Sequence, residues 1–208
     1  MNLIIIGASG LAREVFDLAH ICYAHNPKFT VKGFLSDNPS NISELGYPTV
    51  LSKVDEYQIE ADDFFFCAIG SVKDRKKTVE IILAKGGEFI NLIHPKAIIS
   101  PSAKIGIGVA IKAHSSLASD TFVGDFSYLQ SSVILGHDVK IGKFCQLNSF
   151  SFLAGWVILE DSVILNAGTK ILQFKKIERN ATVGIGSVVI RNVKAGTTVF
   201  GNPAKKIS

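Results

Sequence analysis

From Ile99 onward every sixth residue is a large aliphatic: Ile99, Ile105, Ile111, Leu117, Val123, Leu129, Leu135, Ile141, Leu147, Leu153, Leu159, Leu165, Ile171, Ile177, Val183 and Val189, sixteen positions without an insertion or deletion. With about a third of residues here Ile, Leu or Val, chance would produce such a run on the order of once in ten million. The position two before each aliphatic is small or β-branched, from Ala97 and Ala103 through Val109, Ser115, Thr121, Ser127, Val133, Val139, Cys145, Ser151, Val157, Val163, Thr169 and Ala181 to Ser187; Lys175 alone breaks the pattern. A large knob with a small inward neighbour at this period describes a coil with three flat faces, one hexad per face and eighteen residues per turn. Sixteen hexads then make about five coils, stacked roughly 4.8 Å apart. The residue after the knob is often Gly, Asn or Ala (Gly106, Ala118, Gly124, Gly136, Gly142, Asn148, Asn166, Gly184), which predicts corners that need unusual backbone angles.

Residues 1 to 93 follow a different grammar, and the boundary is expected between 93 and 94. Leu3–Ile6 is a buried-strand run, followed by Gly7-Ala8-Ser9-Gly10 and a helical pattern through Val15, Leu18 and Ala19. Thr30–Leu35 and Phe64–Ile69 repeat the strand signal, and Val79, Ile82 and Leu83 have helical spacing. Strands alternating with helices predict a small parallel sheet.

The chain is 47% hydrophobic and 19% charged, so it can bury a core, and the sparse charge predicts surface covered by another copy. Net charge is +4, but the lysines and arginines are scattered, which argues against nucleic acid as a partner. Three cysteines, Cys22, Cys67 and Cys145, have no metal-ligand spacing and fit a reducing compartment. The apolar start has no basic lead, and Arg13 and Glu14 interrupt it; no run reaches the roughly 18 residues of a membrane span. A cytoplasmic, soluble protein without a membrane partner is expected.

The sequence resembles the hexapeptide-repeat sugar acyltransferases that carry a small Rossmann-like domain ahead of a left-handed parallel β-helix, the PglD-type nucleotide-amino-sugar N-acetyltransferases and NeuD-type sialic acid O-acetyltransferases. The resemblance rests on Gly7-Ala8-Ser9-Gly10, Phe34-Leu35-Ser36-Asp37, Ala68-Ile69-Gly70, His94-Pro95, Gly136-His137-Asp138 and Gly201-Asn202-Pro203-Ala204-Lys205, and it covers nearly the whole chain. It implies the handedness of the β-helix, a homotrimer, and acyl-CoA lying in grooves between neighbouring β-helices.

His137 follows Leu135 by two and therefore occupies an outward corner. An imidazole there can accept a proton from an attacking amine or hydroxyl near neutral pH. Asp138 can bond the other ring nitrogen only if the corner turns two adjacent side chains to the same side. Gly155 comes eighteen residues, one coil, after His137, so it shares that corner and offers a backbone N–H. Taken alone, these are an exposed histidine and a tight-turn glycine; the resemblance implies a base, its acidic partner, and the donor that contacts the acetyl carbonyl. It also implies sugar contacts at Gln130 and Gln146, where relatives carry Asn and often His, and these departures predict an altered acceptor. Gly7, Ser9, Gly10 and, after the second strand, Asp37 are implied as the nucleotide cradle, at a helix start whose N–H groups can hold a phosphate. The loop is not a full G-x-G-x-x-G and no acid follows at about twenty residues, which argues against a nicotinamide cofactor. Gly70, Ser71 and Arg75, at a second strand-to-helix junction, are further candidates for holding the substrate, Arg75 by its charge, or are ordinary turn and helix-start residues.

Cys145 points inward and Cys67 lies in an apolar run, so neither reads as a nucleophile. His94, His114 and His137 are 20 and 23 residues apart, not coil multiples, and no metal is predicted. Lys175, Lys176, Arg179, Arg191 and Lys205 either meet coenzyme A phosphates or form a solvated face. The expected function is acetyl-CoA-dependent N-acetylation of a nucleotide-linked amino sugar by direct transfer. The alternatives are sugar O-acetylation of the sialic acid type and a non-catalytic trimeric binding module.

Overall fold

The computed structural model describes residues 1–38 and 41–208. They form two compact units, Met1–Leu92 and Ile93–Ser208. In the first, strands β1 (Asn2–Ile6), β2 (Thr30–Leu35), β3 (Val50–Ser52), β4 (Asp63–Cys67) and β5 (Glu88–Phe89) make one sheet in the order β3-β2-β1-β4-β5, every pairing parallel. Helix α1 (Gly10–Cys22) follows β1 and buries Ala12, Val15, Leu18 and Ala19; α2 (Val72–Ala84) follows β4 and buries Arg75, Thr78, Val79 and Ile82. Leu83, expected on the buried stripe, is exposed. Leu3 to Ile6 are fully buried, as an apolar strand covered on both faces must be.

Strand β4 starts at Asp63, not Phe64, and the reason is a polar cluster. The Asp63 carboxylate accepts from the Tyr57 hydroxyl (2.9 Å), the Glu60 N–H (2.9 Å) and the Lys32 ammonium (3.1 Å). Burial opposes charge on Lys32, but its bonds to Glu60, Tyr57 and Asp63 win and hold it above the usual lysine range.

The second unit is a three-faced coil. The first face holds the strand pairs from Leu92–Ile93 through Tyr128–Leu129 and Gln146–Leu147 to Thr182–Val183; it closes with Thr198–Gly201 and antiparallel Ala204–Lys206. The second runs from Ile98–Ile99 through Ile134–Leu135 and Phe152–Leu153 to Val188–Val189, and the third from Lys104–Ile105 through Lys140–Ile141 to Lys176–Ile177. Leu135 pairs with Leu117 below and Leu153 above, so the register repeats at the predicted coil length. Every knob from Ile111 to Val189 is at most 1% exposed, while Ile99 and Ile105 in the first coil are partly buried. The small inward residues from Val109 onward are buried as well, and hydroxyls among them bridge coils. Ser127 Oγ donates to the Gly142 carbonyl (2.8 Å) and accepts from the Cys145 N–H (3.0 Å), so these buried polar groups are satisfied.

The expectation for the corner glycines is corrected. The left-handed backbone falls three residues after each knob from Ile105 to Val183, at Asp120, Phe126, Asp138, Phe144, Trp156, Gly168, Phe174 and their equivalents. The glycines directly after the knobs are needed for space. A Cβ on Gly124 would lie 2.7 Å from the Gly142 carbonyl, and one on Gly142 would lie 2.7 Å from the Asp161 nitrogen.

Candidate active site

His137 projects from the corner between the second and third faces. The next residue, Asp138, has φ 59°, and this left-handed turn brings two adjacent side chains together, which an extended strand does not do. His137 Nδ1 lies 2.9 Å from Asp138 Oδ2, with the imidazole about half exposed. A carboxylate at Nδ1 favours the proton there and leaves the Nε2 lone pair free to accept one. One coil later, a Cβ on Gly155 would lie 2.8 Å from His137 Cε1 and 2.9 Å from Nε2, so the ring rests directly over this glycine.

The neighbouring N–H groups are committed: Ala154 donates to the Ile171 carbonyl and Trp156 to the His137 carbonyl. Among the described residues, the Gly155 N–H donates to none. A Cβ on Gly136 would sit 2.8 Å from the Gly155 nitrogen, so glycine at 136 keeps the space beside that nitrogen clear. A proton acceptor and a backbone donor therefore meet at one corner, the pairing acyl transfer needs. Trp156, which the sequence reading did not single out, stands at 90° to the imidazole with centroids 4.3 Å apart and stacks on Phe174.

Gln130 lies at the corner between the first and second faces, and Gln146 points outward from the first face. Gln146 Nε2 donates to Asn148 Oδ1 (3.1 Å), and its buried Oε1 has no partner among the described residues. Within one chain the structure does not bring either glutamine into hydrogen bonding with His137 or Asp138. Lys176 and Arg179 pair with Glu160, and Lys175 is half-buried. Arg191 and Lys205 line a cavity of about 370 Å³ with Lys194 and Lys206.

In the first unit a cavity of about 500 Å³ opens at the carboxyl ends of β1, β2 and β4, where strand order reverses and parallel sheets place their ligands. Gly7, Ser9, Asp37 and Gly70 line it, and Gly10 lines a smaller cavity beside it. Gly7 has φ 107°, and a Cβ there would press to 2.9 Å on the Ala68 carbonyl, so glycine is required twice over. Ser9 begins α1 without capping it through its side chain, and it lines the cavity. Asp37 Oδ1 accepts from the Val54 N–H at 3.0 Å. Ser71 and Arg75 do not line this cavity. The Ser71 hydroxyl caps α2 by accepting from the Asp74 N–H, and Arg75 is fully buried with Nη1 donating to the Ile69 carbonyl. The cation among the lining residues is instead Lys77, with Asp74 and Thr78 beside it. The sequence reading did not single out Lys77.

The PglD N-terminal domain family model matches residues 2–82, and the GMPPB C-terminal domain model matches residues 90–199. GDP-perosamine N-acetyltransferase of Escherichia coli O157:H7 is 31% identical over 167 residues, covering 69% of this chain and 67% of that protein. A protein of Acanthamoeba polyphaga mimivirus is 33% identical over 125 residues, and there the chain spans about a quarter of the relative's length. Among solved structures, PerB from Caulobacter crescentus in complex with CoA and GDP-perosamine is 29% identical, with TM-score 0.90 over 100% of this chain and 98% of that one. WeeI from Acinetobacter baumannii AYE is 27% identical, with TM-score 0.87 over the whole of both chains. The fold, a Rossmann-like unit and a left-handed parallel β-helix of hexads, is shared along the full length. The chain belongs to the PglD/NeuD-type family of hexapeptide-repeat sugar acyltransferases.

Proposed function

We propose that the protein transfers an acetyl group from acetyl-CoA to the amine of a nucleotide-linked amino sugar. The observation that carries this reading is the His137 imidazole, held by Asp138 at Nδ1 and seated over Gly155 beside an N–H that no described residue uses. His137 Nε2 takes the proton from the sugar nitrogen as it attacks the thioester carbon, and Asp138 stabilises the imidazolium. The Gly155 N–H faces the oxygen on which negative charge develops. The imidazolium then returns its proton to the departing sulfur, so amide and free thiol form with no net proton change. In the first unit, Gly7 and Ser9 present the start of α1 to the phosphates, Lys77 adds positive charge, and Asp37 accepts from a ribose hydroxyl. The name of the E. coli relative and the complex described for PerB support this donor and acceptor class. We further infer a homotrimer with acyl-CoA between neighbouring β-helices, working in the cytoplasm; among the described residues no helix is long and apolar enough to cross a membrane.

Thiol release from acetyl-CoA, measured across nucleotide-linked amino sugars including GDP-perosamine, tests the reading. Release with at least one of them, abolished by His137→Asn while both ligands still bind, is the expected result. Release only with unlinked sialic acid would make the protein an O-acetyltransferase; no release with any acceptor would make it a binding module.

A further inference from the structure

We propose that Trp156 and Phe174 form the wall of the acyl-donor subsite, against which the apolar part of the thioester lies; the proposal rests on the acyltransferase reading above. Both residues hold left-handed backbone, φ 56° and 59°, a region in which bulky side chains are rare. The same turn position holds Gly108, Asp120, Ser132, Gly168, Asn180 and Gly186 as well as Phe126, Phe144 and the exposed Phe150, so an aromatic is neither required nor excluded there; what sets this pair apart is its place on the His137 corner, with Trp156 against the imidazole. Residues eighteen apart at one corner are separated by one strand spacing, so the two rings stack, with centroids 4.9 Å apart and planes 12° apart.

A matching stack at another corner shows what such a pair does when it is structural. Phe126 and Phe144 stack at 5.1 Å, and Phe126 is 5% exposed over Gly108, where a Cβ would strike its ring. Trp156 and Phe174 are 45% and 59% exposed, so their own coils do not absorb them. They stand beside the chemistry. With the acyl oxygen at the Gly155 N–H and the nucleophile at His137 Nε2, the rest of the donor must leave that point. The first surface further along the corner is Trp156, then Phe174. Aromatic faces suit the methylenes and the polarizable sulfur of a thioester.

Trp156 is the only tryptophan in the chain, so its emission reports this wall alone. The full-length protein is titrated with acetyl-CoA by fluorescence and by calorimetry in parallel. The expected result is an emission change that tracks the calorimetric isotherm. Phe174→Leu, which does not touch His137, is expected to raise the acetyl-CoA KM about tenfold while kcat and the acceptor KM stay within about twofold. Calorimetric binding with unchanged emission, or an unaltered donor KM in Phe174→Leu, overturns the proposal and leaves the acyltransferase reading intact. Emission that responds to protein dilution but not to donor also overturns it, assigning the wall to contact between copies. No calorimetric binding of acetyl-CoA overturns both.

Discussion

Replacing Gly155 by alanine puts one carbon into the space that the imidazole occupies. Its Cβ would lie 2.8 Å from His137 Cε1 and 2.9 Å from Nε2, whereas carbon atoms pack at about 3.5–4.0 Å. The ring must therefore retreat by about 1 Å. It is free to do so, because the His137 side chain is 52% exposed, and Gly155 is not among the residues with positive φ, so alanine suits its backbone. Stability should hold, but the 2.9 Å contact from Nδ1 to Asp138 and the placement of Nε2 over Gly155 should both be lost. A displacement of that size costs on the order of a hundredfold in rate. Gly136→Ala is the contrast, since its Cβ would meet backbone only: the Gly155 nitrogen at 2.8 Å, the Ala154 carbonyl carbon at 3.0 Å and the Leu153 oxygen at 3.1 Å. A laddered backbone does not move as a side chain does, so this variant should lose about 1–3 kcal/mol of stability. Initial rates of thiol release and thermal melts on the two variants check both halves. Gly155→Ala should melt within about 2 °C of the parent with kcat/KM down about a hundredfold, and Gly136→Ala should melt earlier. A Gly155→Ala protein with kcat/KM within about threefold of the parent would show that the imidazole over this glycine is not the working base.

Three further outcomes follow from the same geometry. Asp138→Asn should keep its melting temperature, since Asn tolerates left-handed backbone, and lose about ten- to a hundredfold in kcat; an unchanged kcat removes Asp138 from the mechanism. Lys77→Ala should raise the KM for the nucleotide sugar about tenfold without moving the acetyl-CoA KM, and equal values would detach the first unit's cavity from the acceptor. At Asp125 burial opposes the charge, but the Lys143 ammonium at 2.8 Å and the Ile107 N–H at 3.1 Å prevail and hold the carboxyl below its usual range. A depressed folded pKa adds stability above the unfolded pKa and loses it as pH falls through the folded value. Asp125→Asn should therefore be less stable than the parent at pH 7 by about 0.5–1 kcal/mol, with the gap closing as acid protonates the carboxyl below the usual aspartate range. A gap that persists in acid would refute the ion-pair account.

The β-helix was legible because its knobs obey an all-or-none rule: from Ile111 to Val189 every one is buried. The corners were harder, because glycine satisfies two different demands and its letter does not say which. Gly108 and Gly168 carry left-handed backbone, whereas Gly124, Gly136 and Gly142 make room for the next coil, a distinction that needs the register. In the first unit the apolar strands were equally clear. Asp63 was not, because its burial depends on Lys32 and Tyr57, which reach it only through tertiary folding.

At the site, arithmetic reached as far as the column. Eighteen residues carry His137 onto Gly155, and the same step carries Trp156 onto Phe174, yet aromatics in left-handed turns run against backbone preference, so no propensity rule points to them. The exchange of Arg75 for Lys77 is different, since its signal was present. Two residues on a helix are about 200° apart, so 75 and 77 face nearly opposite ways. Val79 and Ile82 already mark a buried stripe, and stepping back by four from each reaches 75 and 78 on the same face. Charge alone argued that Arg75 lies outside, but helical register placed it within and turned Lys77 toward the cavity. Where a single cation conflicts with the phase set by several apolar neighbours, the phase is the stronger constraint. It speaks for the packing of the whole helix face, whereas one guanidinium can find its partners inside.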